Sequence, residues 1–117
     1  MSAPTTEQPI ALDPLDFLAI DALLDEPGAG LDLPGRETLL GSLDRLARDQ
    51  PELAIVMTTH HLEELPATTT HALLLRDGQS VSSGLVGDTL TDETMSSCFG
   101  MSLAVTRTGG RFTASAT

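Results

Sequence analysis

Two carboxylates stand side by side at Asp25 and Glu26, directly behind the apolar run Ala22, Leu23, Leu24. A third acid, Asp32, follows the turn-forming stretch Pro27-Gly28-Ala29-Gly30. Further along, His60 and His61 close a second apolar run, "LAIVMTT". Adjacent carboxylates can hold a hard divalent cation and polarise a water, and an imidazole can contact a phosphate or move a proton. Taken alone, each feature has a plainer explanation. An Asp-Glu pair behind an apolar strand is usually a solvated strand end, and a His-His pair is usually a surface turn. The chemistry requires that the two segments meet.

The elements around them make that meeting reasonable. "ALL" is short and wholly apolar, the signature of a strand covered on both faces. Pro27, Gly28 and Gly30 force a turn after it. Pro34 suits the first turn of a helix. Leu39, Leu40, Leu43, Leu46 and Ala47 then recur at helical spacing until Pro51 stops the helix. Leu53 to Thr59 is a second buried-type strand, "HLEEL" a short helical turn before Pro66, and "HALLLR" a third strand. Asp77-Gly78 is a hairpin turn leading into "QSVSS". Thr91 can cap a helix running to Phe99, with Met95, Cys98 and Phe99 on one face and Gly100 behind it. "SLAVTR", "TGG" and "RFTAS" predict a terminal hairpin. Strand, helix, strand, short helix, strand predicts an α/β fold with a mostly parallel sheet flanked by helices. Ligands of such sheets sit at the carboxyl ends of the strands, where both the acid pair and the histidine pair fall.

Composition narrows the function classes. There are 17 acids and 6 bases in 117 residues, for a net charge of −11, and every base is arginine. Clustered positive charge is what nucleic-acid backbones require, so no nucleic acid is expected as a partner. The charge is concentrated in residues 1–65, which hold 13 acids and 3 arginines. The single cysteine, Cys98, allows no intrachain disulfide, fits a reducing compartment and reads as a core residue. No stretch approaches the roughly 18 uninterrupted apolar residues of a membrane span. The N-terminus lacks the basic start and apolar run of a signal peptide. These features predict a cytoplasmic protein. Zinc is a poor expectation, since His60, His61 and His71 lack the spacing of metalloprotease histidines.

The flanking residues add specificity. "ALLDEPGAGLD" resembles the Walker B strand and D-loop of ATP-binding cassette (ABC) ATPases, and "IVMTTHHLEEL" resembles their switch-histidine segment. "HALLLRDGQSVSSG" and "LTDETMSSCFG" with the closing hairpin resemble the C-terminal end of many such cassettes. The resemblance runs from about Ala22 to Ala116. It implies a partial P-loop NTPase fold. It divides the chain into a poorly ordered or divergent segment 1–21, the C-terminal half of a cassette over 22–100, and a terminal hairpin and tail over 101–117. It further implies that Asp25 holds Mg²⁺, that Glu26 orients the attacking water, that His60 reaches the γ-phosphate of ATP, and that Asp32 lies in the D-loop where two cassettes meet. His61 receives no role from it. The family often carries Thr, Ala or Ser where Gly28 stands.

One part of the family pattern is missing from these residues. A phosphate-binding loop needs Gly-x-x-x-x-Gly-Lys-Ser/Thr, and this sequence has no lysine. The signature and Q-loop segments are also absent; "LRDGQ", residues 75–79, follows the Walker B segment and suits a turn better than a signature. The sequence therefore predicts the C-terminal portion of a cassette. ATP and Mg²⁺ would bind it weakly, and a Walker A-bearing half, a second cassette and transmembrane transporter subunits would be its partners, at the inner face of the cell membrane. An incompletely covered sheet also predicts self-association. Alternatives remain: a catalytically inactive remnant serving as an interaction module, or a metal-dependent hydrolase built on Asp25, Glu26 and His60.

Overall fold

The computed structural model describes residues 20–117. Residues 1–19, most of the N-terminal segment 1–21, lie outside the described residues. Two compact units emerge, one comprising 20–68 with Thr108–Phe112 and the other Thr69–Arg107 with Thr113–Thr117.

The first unit begins with strand β1 (Ala22–Asp25), helix α1 (Leu33–Asp49) and strand β2 (Ile55–Thr58). β1 and β2 pair in parallel, with Ala22 opposite Ile55 and Asp25 opposite Thr58. Parallel neighbours need a crossover, and α1 supplies it. Asp32 caps α1: its Oδ1 accepts the Gly35 N–H at 2.9 Å and its carbonyl accepts the Arg36 N–H at 2.8 Å. The helix stops at Asp49, short of Pro51. A 3₁₀ turn, Leu62–Glu64, follows β2. The buried apolar side chains of this unit are Leu40, Leu62 and Phe112.

Phe112 belongs to a hairpin of β5 (Leu103–Thr108) and β6 (Arg111–Ala116). The hairpin turns on Gly109 and Gly110, both at positive φ, as a two-residue type I′ turn requires. Next to Phe112, Arg111 forks onto Glu37 of α1 with two bonds of 3.0 Å and donates to the Glu63 carbonyl at 2.8 Å. The Arg111 hydrogen bonds hold the Glu37 carboxyl below its ordinary pKa, against the opposing pull of burial. A carboxylate depressed in the folded state adds stability above its unfolded pKa of about 4.3, and that contribution disappears as pH falls through the folded value. Glu37→Gln therefore lowers the thermal midpoint at pH 7, and its deficit against the parent chain shrinks toward zero below about pH 4. A deficit that stays constant from pH 7 to pH 3 would show that the ion pair contributes nothing.

The second unit contains β3 (His71–Arg76), β4 (Gln79–Leu85), a one-turn helix α2 (Val86–Thr89) that the sequence pattern does not announce, and α3 (Asp92–Phe99). β3 and β4 are antiparallel around Asp77-Gly78, and a bulge at Val81 shifts the register between Leu74 and Leu75. Thr91 caps α3 in a reciprocal capping box with Thr94, and Gly100 ends it in the left-handed conformation. Val86, Leu90, Met95 and Cys98 form its apolar core.

Three expectations are corrected. Among the described residues there is no single, mostly parallel sheet: the strands form three two-stranded sheets, and only β1–β2 is parallel. The tight Asp77-Gly78 turn commits β3 to an antiparallel neighbour. β1 is not covered on both faces, because strand alternation places Leu23, 58% exposed, on the same side as Asp25. Phe99, on the last residue of α3, is half-exposed and does not share the burial of Met95 and Cys98.

Candidate functional site

The parallel register brings the carboxyl ends of β1 and β2 together, so residues that follow the two strands become neighbours. Thr58, the last residue of β2, lies opposite Asp25. Its hydroxyl donates to Asp25 Oδ1 at 2.6 Å. The Glu26 N–H donates to both the Thr58 carbonyl, at 3.0 Å, and the Thr58 Oγ1, at 3.1 Å. Glu26 itself leaves the strand with φ of +45°, a conformation few non-glycine residues adopt. Its carboxylate then lies 3.4 Å from His60 Nε2. The pair is exposed to solvent, so its worth to the fold is at most about 1 kcal/mol. Its interest is positional: an acid from one strand end and a histidine from the next face the same solvent.

Behind this surface the turn after β1 and the loop after β2 are interlocked. The Ala29 N–H donates to the Glu26 carbonyl at 3.0 Å and the Leu31 N–H to the Gly28 carbonyl at 3.2 Å, closing the turn. Glu64 is 8% exposed. Its Oε1 accepts the Thr59 hydroxyl at 2.7 Å, and the Thr59 Oγ1 in turn accepts the His61 N–H at 3.1 Å. The other carboxylate oxygen of Glu64 presses on Gly28 so closely that a β-carbon there would stand 2.3 Å from it. Gly28 is thus the residue that lets the two loops close on each other.

The structure brings Asp25, Glu26 and His60 together. Asp32 sits seven residues beyond Asp25, exposed, at the start of α1, where its side chain caps the helix by accepting the Gly35 N–H. His61 is exposed beside His60. Cys98 is buried in the other unit, where its thiol donates to the Leu75 carbonyl. Sequence reasoning missed Thr58, Thr59 and Glu64. A polar residue ending an apolar strand was a usable signal for Thr58. Glu64 gave none, because "LEEL" reads as two solvated acids and the fold buries only the second.

No three His, Cys, Asp or Glu side chains among the described residues group to hold a metal. Mg²⁺ binds through one or two carboxylates and fills its remaining positions with water and phosphate oxygens. Asp25 fits this use: Thr58 holds one oxygen, leaving Oδ2 for a cation or its water. No helix among the described residues is long and apolar enough to cross a membrane.

No model of a known protein family matches the chain. Individual proteins do. Over 77 residues it is 39% identical to YlmA of Bacillus subtilis, described as an uncharacterized ABC transporter ATP-binding protein; the match covers 66% of this chain and 29% of the relative. It is 36% identical over 70 residues to the energy-coupling factor transporter ATP-binding protein EcfA2 of Latilactobacillus sakei, covering 60% of this chain and 24% of that one. It is 37% identical over 68 residues to the molybdenum import ATP-binding protein ModC of Pseudomonas fluorescens, covering 58% and 19%. A solved metal-chelate type ABC transporter in an inward-facing conformation superposes with a TM-score of 0.65 and 29% identity, over 79% of this chain and 37% of that one. The chain spans less than a third of the length of these curated relatives.

Proposed function

The chain is a partial ABC transporter ATPase, and on that premise we propose that it supplies the Walker B, D-loop and switch-histidine half of an ATP-hydrolysing site that powers transport. The convergence of Asp25, Glu26 and His60 at the ends of two parallel strands carries this proposal. Phosphoryl transfer is achieved mainly by positioning and charge neutralisation. Mg²⁺, when bound, neutralises charge on the phosphate oxygens. Asp25 would hold it, through a water, with the oxygen that Thr58 leaves open. Glu26 orients and polarises the attacking water. His60, within reach of the Glu26 carboxylate, contacts the γ-phosphate on the same side. Asp32, exposed at the head of α1, faces a second cassette.

The phosphate cradle comes from another polypeptide segment, since this sequence has neither a lysine nor the glycine loop that holds phosphates. Leu23, exposed on β1, whose described pairing is to β2 alone, offers an apolar strand edge for that segment or for self-association. The assembled site lies on the cytoplasmic side, with transmembrane subunits choosing the substrate. A second reading is a non-catalytic interaction module, which the exposed Leu23 on β1 favours.

Both are tested by adding a separately produced segment of an ABC ATP-binding protein that carries Walker A and the signature. The expected result is no turnover from either piece and Mg-dependent ATP hydrolysis from the mixture. A complex that forms but hydrolyses nothing assigns the chain to the interaction module. Alone, the chain is expected to bind Mg-ATP more weakly than millimolar; a micromolar dissociation constant by calorimetry would contradict the split-site account.

A further inference from the structure

We propose that Thr58 is a positioning residue that sets both acids of the site at once, its hydroxyl aligning Asp25 and its hydroxyl and carbonyl together fixing the backbone of Glu26. This deepens the hydrolytic reading above and rests on it for its catalytic meaning. Three bonds carry it: Thr58 Oγ1 to Asp25 Oδ1 at 2.6 Å, and the Glu26 N–H shared between the Thr58 carbonyl at 3.0 Å and Oγ1 at 3.1 Å. One hydroxyl therefore donates to the first acid and accepts from the second. That double use fixes its rotor, which a lone hydroxyl bond would not.

The consequence is a division of labour at Asp25. The oxygen facing Thr58 is occupied, so the carboxylate presents its other oxygen outward in a fixed orientation. Partners that orient a metal-binding carboxylate typically govern metal affinity or activity by about ten- to a hundred-fold. At Glu26 the consequence is conformational. A non-glycine residue at φ of +45° is held in a conformation that side-chain-bearing residues rarely adopt. Two acceptors on its N–H, both from Thr58, oppose relaxation to an ordinary conformation that would swing the carboxylate away from His60. β-Branched valine has the same shape and strand preference as threonine but can make neither hydroxyl bond. Serine keeps the hydroxyl.

The test uses the whole 117-residue chain and its Thr58→Val and Thr58→Ser variants. The first readout, by NMR without metal, is the backbone conformation of Glu26 from its amide–α-proton coupling and carbon shifts. The second is a Mn²⁺ titration followed by paramagnetic broadening of the Asp25 and Glu26 amides. Thr58→Val is expected to lose the positive-φ signature and to raise the Mn²⁺ dissociation constant about ten-fold. Thr58→Ser is expected to keep the signature and to stay within about two-fold of the parent chain. A Glu26 backbone unchanged in Thr58→Val overturns the proposal, whatever the metal does. A Glu26 backbone lost equally in Thr58→Ser also overturns it, because the hydroxyl would then not be the operative group. If the valine variant alone relaxes Glu26 but mixing the parent chain with the Walker A-bearing segment yields no Mg-dependent ATP hydrolysis, the positioning role stands and the hydrolytic reading falls.

Discussion

Glu26→Gln reduces ATP turnover of the completed site by about a hundred- to ten-thousand-fold, the usual contribution of a positioned general base, while Mg-ATP binding persists. The amide keeps the size of the carboxylate and can still face His60, but it cannot take a proton from water. The backbone bonds from the Glu26 N–H to Thr58 do not involve the side chain, so the turn after β1 is expected to survive the change. Thermal midpoint and ATP affinity, measured beside turnover, separate lost chemistry from lost structure. Retention of more than a tenth of the parent rate would remove Glu26 from the role of base. Asp25→Asn makes a useful contrast: its deficit should be partly relieved by raising the Mg²⁺ concentration, whereas that of Glu26→Gln should not.

Gly28→Ala destabilises the chain by about 1–3 kcal/mol, the range for forcing extra atoms into a packed position. A β-carbon would meet Glu64 Oε2 at 2.3 Å. The far end of a glutamate can ordinarily move aside at little cost, but this one is buried and its other oxygen holds the Thr59 hydroxyl at 2.7 Å. Moving it breaks that bond and exposes the loop that carries His60. The measurement is a double-mutant cycle by denaturant unfolding. Glu64→Ala removes both the obstruction and the Thr59 partner, so Gly28→Ala should cost markedly less in that background, leaving a coupling of at least about 0.5 kcal/mol. Equal costs in both backgrounds would mean that Gly28 and Glu64 do not constrain each other.

Local signals carried much of the secondary structure. Pro34, Pro51, the Asp77-Gly78 and Gly109-Gly110 turns, and the Thr91 and Gly100 caps each act through backbone geometry within a few residues, and the structure shows the elements they bound. The one-turn helix Val86–Thr89 escaped because four residues cannot display a helical period. Leu23 was misjudged because three consecutive apolar residues look alike whether a strand is covered on one face or two.

The sequence by itself determined the residue types and the strand ends that could do chemistry: Asp25 and Glu26 behind one apolar run, His60 behind another, and no lysine to hold a phosphate. The tertiary structure decided which of these meet and what holds them. The parallel register that sets Asp25 opposite Thr58 is a pairing between residues 33 apart, and no local propensity encodes it. The same holds for the burial of Glu64 against Gly28 and for the fork from Arg111 to Glu37, across 74 residues. Such contacts depend on where distant segments lie once the backbone has closed. A glutamate in "LEEL" becomes a buried strut only after the turn at Gly28 has been placed against it.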